Sequence, residues 1–258
     1  MKTYLLAALL LFHCPLTAQT LDSILAQHLT ARGAAVLEQL KTVEVSFKMS
    51  SRSQPYLKAP GCKLYREGRE AFRLDLNMTM MDFDINIIDC VSSRGIWSSY
   101  NKMTKEEKTE GDKVNRRIRM FEVSGLGDVY GLFYHPAKRG FQVTLSGTDT
   151  LKGTPVYTLQ VNIPADTLSV VSYLRQSDGA ELQRTIIEEG RPPMNVYFSD
   201  FRQVEGLLLP FYTETHNNAG ITICEYTDVL LNKALPAGLF DKPGQEPANS
   251  PKKERGGK

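Results

Sequence analysis

Tryptophan, cysteine and histidine are scarce in this chain: 258 residues contain one Trp, four Cys and four His. No Cys-x-x-Cys pair and no Cys/His cluster occurs, so the spacing that holds zinc is missing. Gly-x-Ser-x-Gly, His-Glu-x-x-His and phosphate-loop sequences are also absent, which leaves the common hydrolase, metalloprotease and nucleotide-binding arrangements without support. Charge of one sign is lacking as well, the formal net charge being +2. Lys2 and the tail residues Lys252, Lys253, Arg255 and Lys258 account for the excess, so the middle of the chain is near neutral and nucleic acid is not implied. No apolar run approaches the ~20 residues that a membrane-spanning helix needs.

The longest apolar run, Leu5 to Phe12, follows Lys2 and precedes the small-residue zone Thr17-Ala18-Gln19. That order reads as a secretory signal peptide over residues 1–18, with cleavage near Ala18 and an exported, soluble product. Acylation at Cys14 is the alternative, but His13 places a bulky imidazole where lipoprotein signals have a small residue. After cleavage Cys62, Cys90 and Cys224 remain, an odd number in an oxidising compartment: Cys62 and Cys90 pair, or all three are buried thiols. Residues 19–242 read as one domain. The last residues, 243–258, are rich in proline, glycine and charge and cannot bury enough to order themselves.

Several partial motifs fail on inspection. Asp82-Phe83-Asp84-Ile85-Asn86 opens like a calcium loop, but Ile87 stands where the turning glycine belongs and Ser93 where the bidentate glutamate belongs. Gly125, Gly127 and Gly131 have one residue too many for a dinucleotide fingerprint. Cys224 and His216 have no third group to orient them as nucleophile and base. Neither a metal site nor a cofactor site is expected.

What is present is periodicity. Leu21, Ile24, Leu25, His28 and Leu29 share one helical face, and Gly33 divides residues 21–40 into a long and a short helix. From Thr42 the period is two: Val43, Val45, Phe47 and Met49, then Phe72, Leu74 and Leu76, then Phe83, Ile85 and Ile87 alternate with polar residues. Residues 96–100 hold the single tryptophan, Trp97, and the charged stretch 101–113 reads as a solvated turn or an excursion over the sheet. Lys113, Arg116, Arg117 and Arg119 read as the wet face of an edge strand, or as a patch for anionic lipid head groups. Residues 124–134 are expected to form a short helix. After Pro136 strands are expected over 141–145, 156–163, 168–176, 182–188, 194–202, 208–215 and 222–231. Many short strands with few helices predict a single antiparallel sheet curling around apolar contents.

The clearest local signal is Tyr197 to Phe211, reading Y-F-S-D-F-R-Q-V-E-G-L-L-L-P-F: two apolar strands joined by a polar corner at Gly206, with Pro210 tolerated only at an edge or strand start. The pattern S-D-F-R-x-V-x-G-L-x-x-P-F resembles the late hairpin of the bacterial lipoprotein-sorting family, the periplasmic LolA/LolB-type carriers. Val229 to Asn232, Leu239-Phe240 and, more weakly, Ile24 to Val45 extend the likeness. Phe72-Arg73-Leu74 is similar to the family's F-R-W stretch, and Trp97 to the tryptophan of D-G-K-x-x-W-x-Y, although Ser92, Ser93 and Arg94 replace D-G-K. The resemblance implies an α+β fold in which a curved antiparallel sheet forms an open, unclosed β-barrel with helices on its concave side. It implies no catalysis, but uptake of acyl chains in the periplasm for sorting to the outer membrane. The residues assigned to that surface are Val45, Phe47, Phe72, Arg73, Leu74, Phe83, Ile85, Trp97, Tyr157, Leu159, Ile186 and Phe198. In the family Arg73's counterpart is implicated in lipoprotein handling; here an outward-facing strand arginine is the competing reading. The expected partners are acylated lipoproteins or lipids, with membrane proteins that load or receive them. A lipid- or stress-sensing module of the same fold that acts through a protein partner is the alternative. A hydrolase is the third reading, and it would need titratable groups clustered in the cavity.

Overall fold

The computed structural model describes residues 19–80, 83–107 and 112–243. The signal-peptide reading and nearly all of the tail lie outside them. Two helices open the described chain, α1 (Leu21–Arg32) and α2 (Ala34–Gln39). Thr20 caps α1 by accepting from the Ser23 backbone N–H, and Gly33 ends it in the left-handed conformation. A side chain at Gly33 would run into the carbonyl of Gly206, so the corner between the helices sits directly on a hairpin of the sheet.

Six strands follow: β1 (Thr42–Ser51), β2 (Leu57–Glu67), β3 (Ala71–Met80), β4 (Phe83–Ser92), β5 (Gly95–Tyr100) and β6 (Met103–Glu107). Helix α3 (Lys113–Val123) and an irregular loop lead to seven more: β7 (Gln142–Leu151), β8 (Thr154–Ile163), β9 (Leu168–Arg175), β10 (Glu181–Glu188), β11 (Met194–Val204), β12 (Leu207–Asn217) and β13 (Gly220–Leu231). They form one antiparallel sheet in the order β6-β5-β4-β3-β2-β1-β13-β12-β11-β10-β9-β8-β7. Two meanders are therefore joined where β1 pairs with β13, from Val43 opposite Leu231 to Ser51 opposite Thr222. The outermost strands β6 and β7 do not pair with each other, so the curved sheet stays open and carries its helices on the concave face. This is the α+β architecture expected.

Apolar side chains of the concave face form two cores. Val45, Phe47, Leu64, Phe72, Val91 and Ile96 pack with Leu37, Ile118 and Tyr130 in one. Leu159, Val170, Ile186, Val196 and Phe198 pack with Ile24, Leu132 and Phe133 in the other. The three cysteines are free and buried.

Several local expectations are corrected. Residues 113–123 are a helix, because Val114, Ile118 and Phe121 recur at helical spacing and pack on the first core. The basic run it carries is neither an edge strand nor a free patch. Arg117 pairs with Asp89 at 3.1 Å, Arg119 with Asp166 at 2.6 Å and Lys113 with Glu107 at 3.3 Å. Residues 124–134 are not a helix: Gly125, Gly127 and Gly131 all have positive φ, at 79°, 64° and 79°. The charged stretch contains an exposed strand, β6, and β2 escaped the period because Pro60 and Gly61 fall at a register shift. A bulge at Gly147 interrupts the pairing of β7 with β8. Pro210 lies in an internal strand, yet the β12–β13 ladder begins only at Tyr212 opposite Glu225, so at Pro210 no N–H is needed on that side. The β11–β12 hairpin itself is as read, with Val204 opposite Leu207 and Glu205-Gly206 both at positive φ.

Candidate ligand-binding face and its plug

The residues assigned to an acyl surface fall into three groups. Val45, Phe47, Phe72, Leu159, Ile186 and Phe198 are buried in the two cores, with Leu74 and Tyr157 partly buried against them. Phe83 and Ile85 share the concave face, since cross-strand pairing sets Phe83 opposite Met80 and Ile85 opposite Met78. Phe83 is 71% exposed.

Arg73 and Trp97 are not brought together with the others. Arg73 alternates with Phe72 and Leu74 and so points to the convex face, as does Trp97, which follows the core residue Ile96. There Arg73 holds Asp75 at 2.7 Å and donates to the Leu239 carbonyl at 2.8 Å, and the Trp97 indole donates to the Phe240 carbonyl at 3.1 Å. The pair thus clamps the chain after β13 against the outside of the sheet.

The centre of the concave face is plugged by α3 and the loop after it. Phe121 stacks on Phe72 with centroids 4.0 Å apart. Gly127 lies so close to Leu64 that any side chain would overlap it, and its N–H donates to the Tyr226 hydroxyl at 2.8 Å. A buried ionic network ties the plug to both cores. The Arg184 guanidinium, on β10, donates to Asp128 and Glu181, each at 2.6 Å, and to the carbonyls of Glu122 and Val123. Arg32, at the end of α1, donates to the carbonyls of Asp128 and Val129. Burial opposes ionisation of Asp128, but Arg184 and Arg32 outweigh it and hold its carboxyl below the usual range. Burial likewise opposes the charge on Arg184, and Glu181 and Asp128 overcome it, raising its pKa.

Sequence reasoning missed this network. The available signal was Arg184 itself, which stands two residues before Ile186 and so shares its inward face. The Cys224–His216 pair fares differently. Burial pushes the Cys224 thiol up to about 12, away from a nucleophile, and His216 lies 2.5 Å from Glu214.

Beyond the plug the concave face is partly exposed among the described residues. Ile87 pairs with Tyr100 and Tyr100 with Met103, so these three continue the face of Met78, Ile85 and Phe83 across four strands. Tyr100 is 48% and Met103 70% exposed. Together they make an apolar shelf at one end of the concave face.

No protein-family model and no curated protein matches the sequence. Solved structures do match its fold. A LolA superfamily protein from Nitrosomonas europaea superposes with a TM-score of 0.57 at 14% identity, covering 87% of this chain and 99% of that one. A DUF1329 family protein from Desulfovibrio piger and a Vibrio parahaemolyticus domain named for outer-membrane lipoprotein sorting each give 0.54 at 11% identity, covering 84% of this chain and 97% of theirs. The chain therefore has the fold of LolA superfamily proteins. Among the described residues no helix is long and apolar enough to cross a membrane.

Proposed function

We propose that the chain is an exported, single-domain binding protein that takes up acyl chains of lipids or lipoproteins in the periplasm for sorting to the outer membrane. The observation that carries this reading is the apolar shelf of exposed Phe83, Tyr100 and Met103 and half-buried Met78, Ile85 and Ile87 on the concave side of an unclosed sheet. An acyl chain laid there removes apolar surface from water at about 0.8 kcal/mol per methylene, enough for reversible binding by a few contacts. The fold shared with a domain named for lipoprotein sorting supports the same reading. Binding, not catalysis, is the role proposed.

The test is saturable binding of a fluorescent acyl probe, competed by phospholipid or lipopeptide. Phe83→Asp should weaken it while the protein stays folded, because Phe83 is 71% exposed and its charge would remain in water. Failure of the wild type to bind acyl probes of several lipid classes would sink the proposal. Export predicts a mature N-terminus at Gln19 or Thr20, readable by intact mass; a diacylglyceryl group on Cys14 would overturn it.

A further inference from the structure

A cleft of about 560 Å³ opens between α3, the β2–β3 turn and residues 135–139. Its volume lies in the range of roughly 300–1,000 Å³ that accepts a small organic ligand. Glu122, 4% exposed, lies in its floor and is the one carboxylate that pairs with three arginines among the described residues. Arg66 reaches it at 3.2 Å, Arg69 at 3.1 Å and Arg139 at 2.6 Å. Lys138 is exposed on the rim and makes no ion pair among the described residues, and Glu70 is the other carboxylate of the lining.

One carboxylate cannot by itself satisfy three guanidinium groups. Backbone carbonyls take part of the remaining demand, Arg69 donating to Tyr134 and Arg139 to Gly131 and Leu132, but not all of it. Nε and Nη1 of the fully buried Arg66 and Nε of Arg139, whose side chain is 9% exposed, have no hydrogen-bond partner. Of the lining, Arg69, Arg139 and Lys138 stand against the carboxylates Glu122 and Glu70, one positive charge in excess, and Arg66, buried behind the lining, draws on the same Glu122. Burial, then the neighbouring Arg69, lowers the Arg139 pKa to about 10 against the opposing effects of Glu122 and Asp128. Arg119, also in the lining, is matched by Asp166 and adds nothing to the excess. An uncompensated buried charge is costly, and an anion entering the cleft would supply the missing partner. Val114 and Ile118 give the cleft an apolar wall.

We propose that this cleft binds the anionic phosphate-ester headgroup of an amphiphile. The proposal rests on the acyl-binding reading for the kind of molecule, but not for the site. Titration calorimetry with dihexanoylphosphatidylglycerol, dihexanoylphosphatidylcholine, inorganic phosphate and the uncharged monooctanoylglycerol tests it. The net-anionic lipid should bind about tenfold more tightly than the zwitterionic one. Lys138→Glu, on an exposed side chain, should remove most of that preference, and Lys138→Arg should keep it. Binding of inorganic phosphate that is equally sensitive to Lys138→Glu would support the site and identify a free anion as its occupant. Equal affinities for the two lipids, unchanged in Lys138→Glu and without phosphate binding, would overturn the proposal. If monooctanoylglycerol still binds in that case, the acyl-binding reading survives; if phosphate binds and no acyl compound does, the reverse holds.

Discussion

His28 should make the fold acid-sensitive in a window of its own. Its ring is fully buried, Nδ1–H donates to the Gly179 carbonyl at 2.7 Å, and the ring lies edge-on to Phe133 of the plug with centroids 5.2 Å apart. Burial, then the neighbouring Arg32, lowers its pKa from 6.5 to about 4, against smaller opposing effects of Gly179, Glu181 and Asp128. At pH 7 the imidazole is neutral in both folded and unfolded chains. Below 6.5 the unfolded chain takes up a proton that the folded one refuses until about pH 4, so stability falls with pH across that interval. The gap corresponds to about 3 kcal/mol. Asp128 has a lowered pKa, and its contribution is lost only below the unfolded value of 3.8, so the two effects separate. Urea unfolding at pH 7, 6, 5 and 4.5 of wild type and His28→Gln measures it. The wild type should lose stability faster than the variant as pH falls, the difference between them shrinking by roughly 2–3 kcal/mol. Parallel curves would refute the argument and show that His28 titrates alike in both states.

Gly206→Val should cost about 2 kcal/mol, because a β-branched residue is strained at φ +86° and its Cβ would crowd Val36 of α2; a melting temperature lowered by less than a degree would argue against it. Arg184→Met leaves Asp128 and Glu181 buried without their shared cation, so a loss of about 3–5 kcal/mol is expected in chemical denaturation, and an unchanged midpoint would show that the network is not structural.

Alternation along the strands was enough to find the sheet because one face is buried nearly throughout, as with Val43, Val45 and Phe47 in β1. It failed where geometry broke the period. β2 changes register near Pro60-Gly61, and in 113–123 the arginines hid the apolar stripe of Val114, Ile118 and Phe121. The positions of Arg73 and Trp97 were open to the same alternation, since each neighbours an inward residue. Their covering by Leu239 and Phe240 was not, because it depends on where the chain goes after β13. The cationic cleft draws on the β2–β3 turn, α3 and residues 135–139, and no local pattern could have assembled it.

The seam between β1 and β13 bears on when the protein can fold. Strand β1 leaves the ribosome, or any export channel, early, while the partner for one of its two ladders is the last strand to appear. Until then the first meander has an unpaired central edge and Phe47 lacks its neighbour Tyr226. Pairings between such distant parts of a chain slow folding. The seam that joins the two meanders therefore cannot form until β13 has emerged.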